Sequence, residues 1–230
     1  MLHVGDRELV VPGQLIAEGG YFVHEGAFHE GDYVYASVVG LIRVQGKKIR
    51  VIPLQGPYIP KRDDAVVGIV IDTHYAGWEL DLDSPYTGNL FVSDLLQRKV
   101  DLDREDISEY LKVGDVVFAR VKEVDELMRV SLEAGDRGMG RVSGGKLVKI
   151  GPKKVPRVIG RRGSMISVLQ EIGGCRLKVG QNGRVVVWDK DPGRVNAVVE
   201  ALLMIEREAH TSGLTDRVRQ FLEEKYKGGT

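Results

Sequence analysis

The chain has 230 residues, 43% of them hydrophobic and 29% charged, with 33 basic and 33 acidic side chains and a formal net charge of zero. That balance suits a globular protein with room for one large domain or roughly two or three small ones. Cys175 is the only cysteine, which excludes an internal disulfide and a structural zinc site built from cysteines. No apolar run is long enough for a membrane span, and MLHVGDRELV does not read as a signal peptide, so the cytoplasm is the expected compartment.

The zero net charge averages over unlike segments. Residues 1–63 carry seven acidic and seven basic side chains, residues 64–134 carry sixteen and seven, and residues 135–230 carry ten and nineteen. From Arg137 to Arg162 there are nine basic residues and no acidic one. Such asymmetry points to a polyanion-binding region in the last segment, with a solvated basic linker as the alternative.

Residues 1–63 read as a small β domain. Runs such as LVVPGQLIAEG, DYVYASVVGLIRVQG and KKIRVIPLQG alternate or are β-branched, and Gly and Pro punctuate them. VQGKKIRV reads as a hairpin turning at Gly46. His24 and His29 are too isolated to suggest a metal site, and no metal or other cofactor is expected anywhere in the chain. A β unit without chemistry of its own is a candidate docking surface.

Residues 64–134 continue in β. DAVVGIVIDTHYAGWELDL predicts two strands with a bend near Ala76–Gly77, YTGNLFVSDL a third, and LKVGDVVFARVKEVD with LMRVSLEA two more. LQRKVDLDREDISEY is a long acidic connection with room for a short helix. Five short antiparallel strands in about 70 residues is the size of a small closed barrel of the oligonucleotide-binding type. The acidic pairs Asp81/Asp83 and Asp101/Asp103 imitate nuclease metal ligands, but with no positioned base nearby a solvated acidic face is the preferred reading.

Residues 135–230 change period. GKLVKIG predicts a strand, VIGRRGSMI a turn leading into a helix from Ser164 to about Ile172, and CRLKVGQNGRVVVWD a hairpin with a type I′ turn at Asn182–Gly183. DPGRVNAVVEALLMIEREAHTSG predicts a helix capped by Asp191, with Pro192 at its first position and Gly213 at its end. Its apolar face is Val195, Val198, Leu202, Ile205 and Ala209. LTDRVRQFLEEKYK predicts a last helix with Val218, Phe221, Leu222 and Tyr226 on one side.

Within this order the stretch Gly160-Arg161-Arg162-Gly163 carries the clearest chemistry. Two glycines permit a tight bend and let a backbone ligand approach without a Cβ in the way. The helix start at Ser164 offers free N–H groups to a phosphate, and the arginines add fork-shaped donors. Lys153, Lys154 and Arg157 extend the basic approach. A helix–helix turn with solvated arginines is the competing account.

The strand–turn–GRRG–helix–strand–strand–helix order resembles the eukaryotic-type (type I) KH domain, whose Gly-x-x-Gly loop clamps the backbone of about four nucleotides. The preceding segment resembles the S1 RNA-binding domain. That match places Tyr75, Trp78 and Phe91 as stacking platforms, with Lys122, Arg129, Arg98 and Lys99 near the groove; a barrel core is the lesser alternative for the same aromatics. Taken together, a small β domain, then S1, then KH resembles the RNA-binding cap subunit of the archaeal exosome over essentially the whole length. The Gly180-Gln181-Asn182-Gly183 turn matches that family's Gly-x-Asn-Gly signature. KH after S1 argues against a fragment of bacterial polynucleotide phosphorylase, which has the opposite order.

The resemblance implies a multidomain β plus α/β protein without catalysis of its own. Three such chains would sit on a hexameric ring of phosphorolytic 3′-to-5′ exoribonuclease subunits, held largely by the N-terminal domain. They would capture single-stranded, A-rich RNA 3′ ends and pass them inward. A free-standing S1–KH factor in transcription or translation and a metal-dependent RNase are the alternatives.

Overall fold

The computed structural model describes residues 1–209, 211 and 213–227. The chain divides into two compact units, residues 1–56 and 57–230.

The first unit holds seven short strands: β1 Leu9–Val10, β2 Leu15–Glu18, β3 Phe22–Val23, β4 Ala27–Glu30, β5 Tyr33–Ala36, β6 Gly40–Gln45 and β7 Lys48–Pro53. They form a four-stranded sheet, β1-β6-β7-β3, and a three-stranded one, β2-β5-β4. The β6/β7 hairpin turns at Gly46, whose φ of +60° is the reason for glycine there. Alternate residues of these strands, among them Val10, Ile16, Val34, Ile42, Ile49 and Val51, make one core.

The second unit opens with a barrel. Its strands are β8 Ala65–His74, β9 Gly77–Asp81, β10 Gly88–Phe91, β11 Val116–Val124 and β12 Val130–Glu133, with the short helix α1 Val92–Leu96 after β10. The β8/β9 turn falls at Tyr75–Ala76, one residue ahead of the expected bend. Closure comes from β10 lying parallel to β12, while the other barrel pairings are antiparallel. Five is an odd number, so a closed ring of alternating strands must contain one parallel pair. The barrel core is Val66, Val70, Trp78, Leu80, Leu90, Val117, Val121 and Leu132 with their neighbours. Tyr58 belongs to this core, and β13 Gly140–Val142 pairs with β11. Residues on either side of 64–134 therefore complete the barrel.

The KH fold follows: β14 Lys146–Lys149, α2 Val155–Ile159, α3 Ser164–Glu171, β15 Arg176–Val179, β16 Arg184–Trp188, α4 Pro192–Arg207 and α5 Leu214–Lys227. The sheet order is β14-β16-β15. Val158, Leu169, Val185, Val187, Val198, Leu202, Val218 and Leu222 close its core. Asp191 caps α4 by accepting from the Gly193 N–H at 2.8 Å, as expected. The helix stops at Arg207, short of Gly213, which instead precedes α5.

The β15/β16 turn is not type I′. The Gly183 N–H donates to the Gly180 carbonyl, Gly183 has φ +83°, and Asn182 has no positive φ, so Gln181 and Asn182 are the central residues. A left-handed glycine after such a turn is the bulged arrangement. The bulge aims Asn182 at the barrel, where its amide joins an exposed stretch of ladder. Strand β9 reaches β8 only as far as Ile69, so Ala65–Gly68 has no strand on that side. Asn182 Oδ1 accepts from the Val67 N–H at 3.2 Å, and Nδ2 donates to the Val67 and Leu82 carbonyls at 2.8 and 2.9 Å. The Gln181 N–H donates to the Ala65 carbonyl. Next along, Arg184 donates to the Asp81 carbonyl at 2.6 Å and pairs with the Asp81 carboxylate. Lys149 reaches Asp83 at 2.6 Å. A Cβ on Gly180 would stand 2.8 Å from the Val67 nitrogen, which explains that glycine. The S1 and KH segments are thus one packed body.

Burial would raise the Asp81 pKa, but the hydrogen bond from Arg184, the Asp83 N–H, and the Arg184 and Lys149 charges outweigh it and hold the carboxyl below its ordinary value. Its folded pKa lies below its unfolded one, so its contribution is fully present above the unfolded value and is lost as pH falls through the folded one. Asp81→Asn should therefore destabilise the chain at neutral pH and bring little further change in strong acid, measured by urea unfolding at both pH values. Asn182→Ala leaves the Val67 N–H and the Leu82 carbonyl without partners, the Val67 carbonyl keeping Arg184, and should cost about 2–4 kcal/mol in the same measurement.

Candidate nucleic-acid interface

The Gly-Arg-Arg-Gly loop joins α2 to α3 as a tight corner. Gly160 takes φ +77° and ψ 170°, and a Cβ there would fall 2.5 Å from the Met165 nitrogen. Only glycine fits. Arg162 itself sits in the left-handed region at φ +53° and ψ +31°, which costs a non-glycine residue of order 1 kcal/mol. The corner holds because both ends are anchored: Val158 and Met165 are buried in the KH core, and Ile159 packs against it.

The arginines of this corner face solvent. Arg157, Arg161 and Arg162 are exposed, and Lys153 and Lys154 are half-buried on the turn preceding α2. Among the described residues none of these five cations forms an ion pair. The N-terminus of α3 has Gly163 at its cap and no side chain bonding its first N–H groups. A groove of about 300 Å³ runs beside the corner, lined by Arg157, Gly160, Arg161, Ser164, Leu214 and Asp216 among others. Cations without ion pairs, a helix start without a side-chain cap and bare glycine backbone together give this corner the chemistry that suits an anion.

The barrel residues separate into two kinds. Trp78 is 1% exposed and its Nε1 donates to the Leu111 carbonyl at 3.1 Å, so the indole is a core residue with a satisfied N–H. The expectation of a stacking platform there is corrected: Trp78 lies on the inward side of β9. Tyr75 is 72% exposed in the β8/β9 turn, with its hydroxyl donating to Asp103 at 3.2 Å, and Phe91 is 47% exposed at the end of β10. Register places them near each other, because Gly77 pairs with both His74 and Phe91.

The barrel cations mostly have internal partners. Lys122 meets Asp94 at 2.6 Å, Arg129 meets Asp125 at 2.7 Å, and Arg98 grips Glu105 through both terminal nitrogens. The Arg98 hydrogen bond and that of Tyr110 hold the Glu105 carboxyl down at about 2. Lys99 is exposed and has no ion pair among the described residues. The signature turn Gly180, Asn182 and Gly183 lies against the barrel. Asn182 is fully buried against the barrel, so this signature holds the S1–KH body together. Its neighbour Arg184 was not singled out by sequence; a charged residue opening the apolar, buried strand RVVVW was the available signal.

Fold and surface define a modular nucleic-acid-binding protein with an OB-type barrel followed by a KH domain. Residues 7–55 match the family model for the exosome RNA binding protein RRP4 N-terminal domain, and residues 146–207 match the KH domain model. Exosome complex component Rrp4 of Methanothermus fervidus is 46% identical over 223 residues, covering 96% of this chain and 98% of its own. The protein of the same name from Thermofilum pendens is 44% identical over 229 residues, with 98% and 97% covered. A crystal structure provisionally described as an exosome complex RNA-binding protein superposes with a TM-score of 0.71 at 36% identity, over 76% of this chain and all of that one. The chain belongs to the Rrp4 family of exosome components.

Tyr75→Ala should leave the fold intact, whereas Trp78→Ala should cost about 3–5 kcal/mol in denaturant unfolding because it empties the barrel core. Equal, small effects of the two substitutions would contradict this division.

Proposed function

We propose that this chain is a non-catalytic RNA-binding cap of a 3′-to-5′ phosphorolytic exoribonuclease ring, where it captures single-stranded 3′ ends and directs them to the pore. A-rich RNA is the expected ligand, three cap chains per hexamer the expected stoichiometry, and the cytoplasm the compartment. The observation that carries the RNA-binding part is the cluster of unpaired cations around the Gly160–Gly163 corner. Gly160, Arg161, Arg162 and Gly163 would clamp the sugar-phosphate backbone, with Lys153, Lys154 and Arg157 beside them. Tyr75 and Phe91 would stack bases on the barrel, and Lys99 would add the nearby free charge. Lys122, Arg129 and Arg98 would contribute less, since each must first share its charge with a carboxylate.

Support for a role without catalysis comes from the acidic pairs. Asp81 and Asp83 are occupied by Arg184 and Lys149, while Asp101 faces Arg104 and Asp103 accepts from Tyr75. For ring docking, the first unit has a fitting surface. Leu9, Leu41 and Ile52 lie in register across β1, β6 and β7, and in the next register row but one Arg43 stands opposite Arg50. An apolar row flanked by cations suits an apolar partner edged with carboxylates.

Changing Arg161 and Arg162 together to Asp should weaken single-stranded RNA binding, without unfolding, and flatten the salt dependence by about 1.4 in log–log slope. Fluorescence anisotropy across a salt series reads both, and an unchanged slope would refute the loop as the phosphate clamp. Removing residues 1–56 should abolish co-purification with the nuclease ring while RNA binding persists; a shortened chain that still travels with the ring would refute docking through this unit.

A further inference from the structure

The β8/β9 hairpin carries a cluster that the RNA-binding reading does not use. Asp72 stands directly opposite Glu79 in the ladder, and His74 lies two residues on along β8. A pair of carboxylates facing each other across strands is destabilising unless a cation lies between them. Among the described residues no lysine or arginine supplies one, and the only ion-pair partner of either carboxylate is His74. Its Nδ1 is 3.9 Å from Asp72 and its Nε2 is 3.6 Å from Glu79.

One ligand atom from each of the three residues can be chosen so that all lie within 4.8 Å of one another. Two ligands on a common tetrahedral ion at about 2.0–2.1 Å from it are roughly 3.4 Å apart, so small side-chain rotations suffice. Asp72 and His74 are exposed and Glu79 is partly so, which leaves them free to make those rotations. A bulge between Val70 and Asp72 sets this register and brings Asp72 opposite Glu79.

We propose that Asp72, His74 and Glu79 bind a divalent first-row transition-metal ion, and that its remaining coordination positions take a phosphate of RNA crossing the barrel. An imidazole with two carboxylates is a borderline donor set suited to zinc, and three protein ligands leave a position open. The site adjoins the exposed Tyr75, so an ion there gives the backbone of a base stacked on that ring a positive contact. It would also reverse the local sign on a barrel whose 64–134 segment carries sixteen acidic and seven basic residues. Cys175 does not compete for the ion, being buried with its thiol pushed up to about 11. The phosphate role rests on the RNA-binding reading above; the metal site does not.

Zinc titrated into the RNA-free full-length chain by calorimetry should bind saturably at one site, with magnesium as the control ion. His74→Ala and Asp72→Asn should each weaken zinc by about tenfold or more, with melting temperatures of the metal-free proteins showing that the variants fold. No saturable binding, or binding unchanged in both variants, overturns the site. With labelled single-stranded RNA, zinc should tighten binding of the unaltered chain by up to about tenfold relative to chelator, and His74→Ala should abolish the gain. Zinc that binds without moving RNA affinity overturns the phosphate role and leaves the metal site standing. If the Arg161→Asp, Arg162→Asp chain binds RNA normally, the failure is in the KH reading and not in the metal site.

Discussion

The insertion of the Gly180–Gly183 turn into the open flank of β8 is the contact on which the second unit depends. Among the described residues Asn182 and Arg184 are the only buried polar or charged ones, and both spend their hydrogen bonds on barrel backbone or on Asp81. A side-chain amide can offer a donor and an acceptor at once, so Asn182 continues the ladder where β9 ends. Removing it would leave Val67 and Leu82 groups buried and unpaired, a cost larger than the bond itself contributes. The junction therefore behaves as a fixed joint between a barrel and a KH fold. The relation of the Gly160–Gly163 corner to the barrel's aromatics follows from it.

That joint also explains where the acidic charge of the barrel goes. Asp81 and Asp83 face cations of the KH segment, and Asp94, Glu105 and Asp125 face cations of the barrel itself. Exposed pairs of this kind add little stability, but each removes a cation from the supply available to RNA. Among the described residues the cations of the KH corner have no such partners. A polyanion consequently meets a strongly graded surface, attractive at the corner and mostly neutralised or repulsive on the barrel. A neutral chain can bind RNA when its opposite charges are sorted in space.

At the corner, precision comes from packing. Gly160 is held against the Met165 backbone, and Arg162 is kept in a left-handed conformation by neighbours anchored in the core. A loop so constrained would lose little entropy on meeting the backbone phosphate proposed for it, which is where preorganisation contributes to affinity.

Local sequence determined a great deal here. The Gly-Arg-Arg-Gly corner, the Asp191 cap, the Gly46 hairpin and the faces of α4 and α5 all depend on residues close in the chain, through φ preferences and a 3.6-residue period. The charge sorting between segments was likewise countable before any fold. What period and propensity do not carry is which face of a strand meets the inside of a closed barrel, or what lies across an interface. Trp78 and Tyr75 are three residues apart and equally aromatic, yet barrel closure buries one and leaves the other in a turn. Lys122, Arg129 and Arg98 read as free cations until folding brings Asp94, Asp125 and Glu105 beside them. Asn182–Gly183 resembled a local type I′ turn because the pair favours it in isolation. Only the open edge of β8, with Val67 lying 115 residues before Asn182, makes a bulged turn with Asn182 facing inward the better solution.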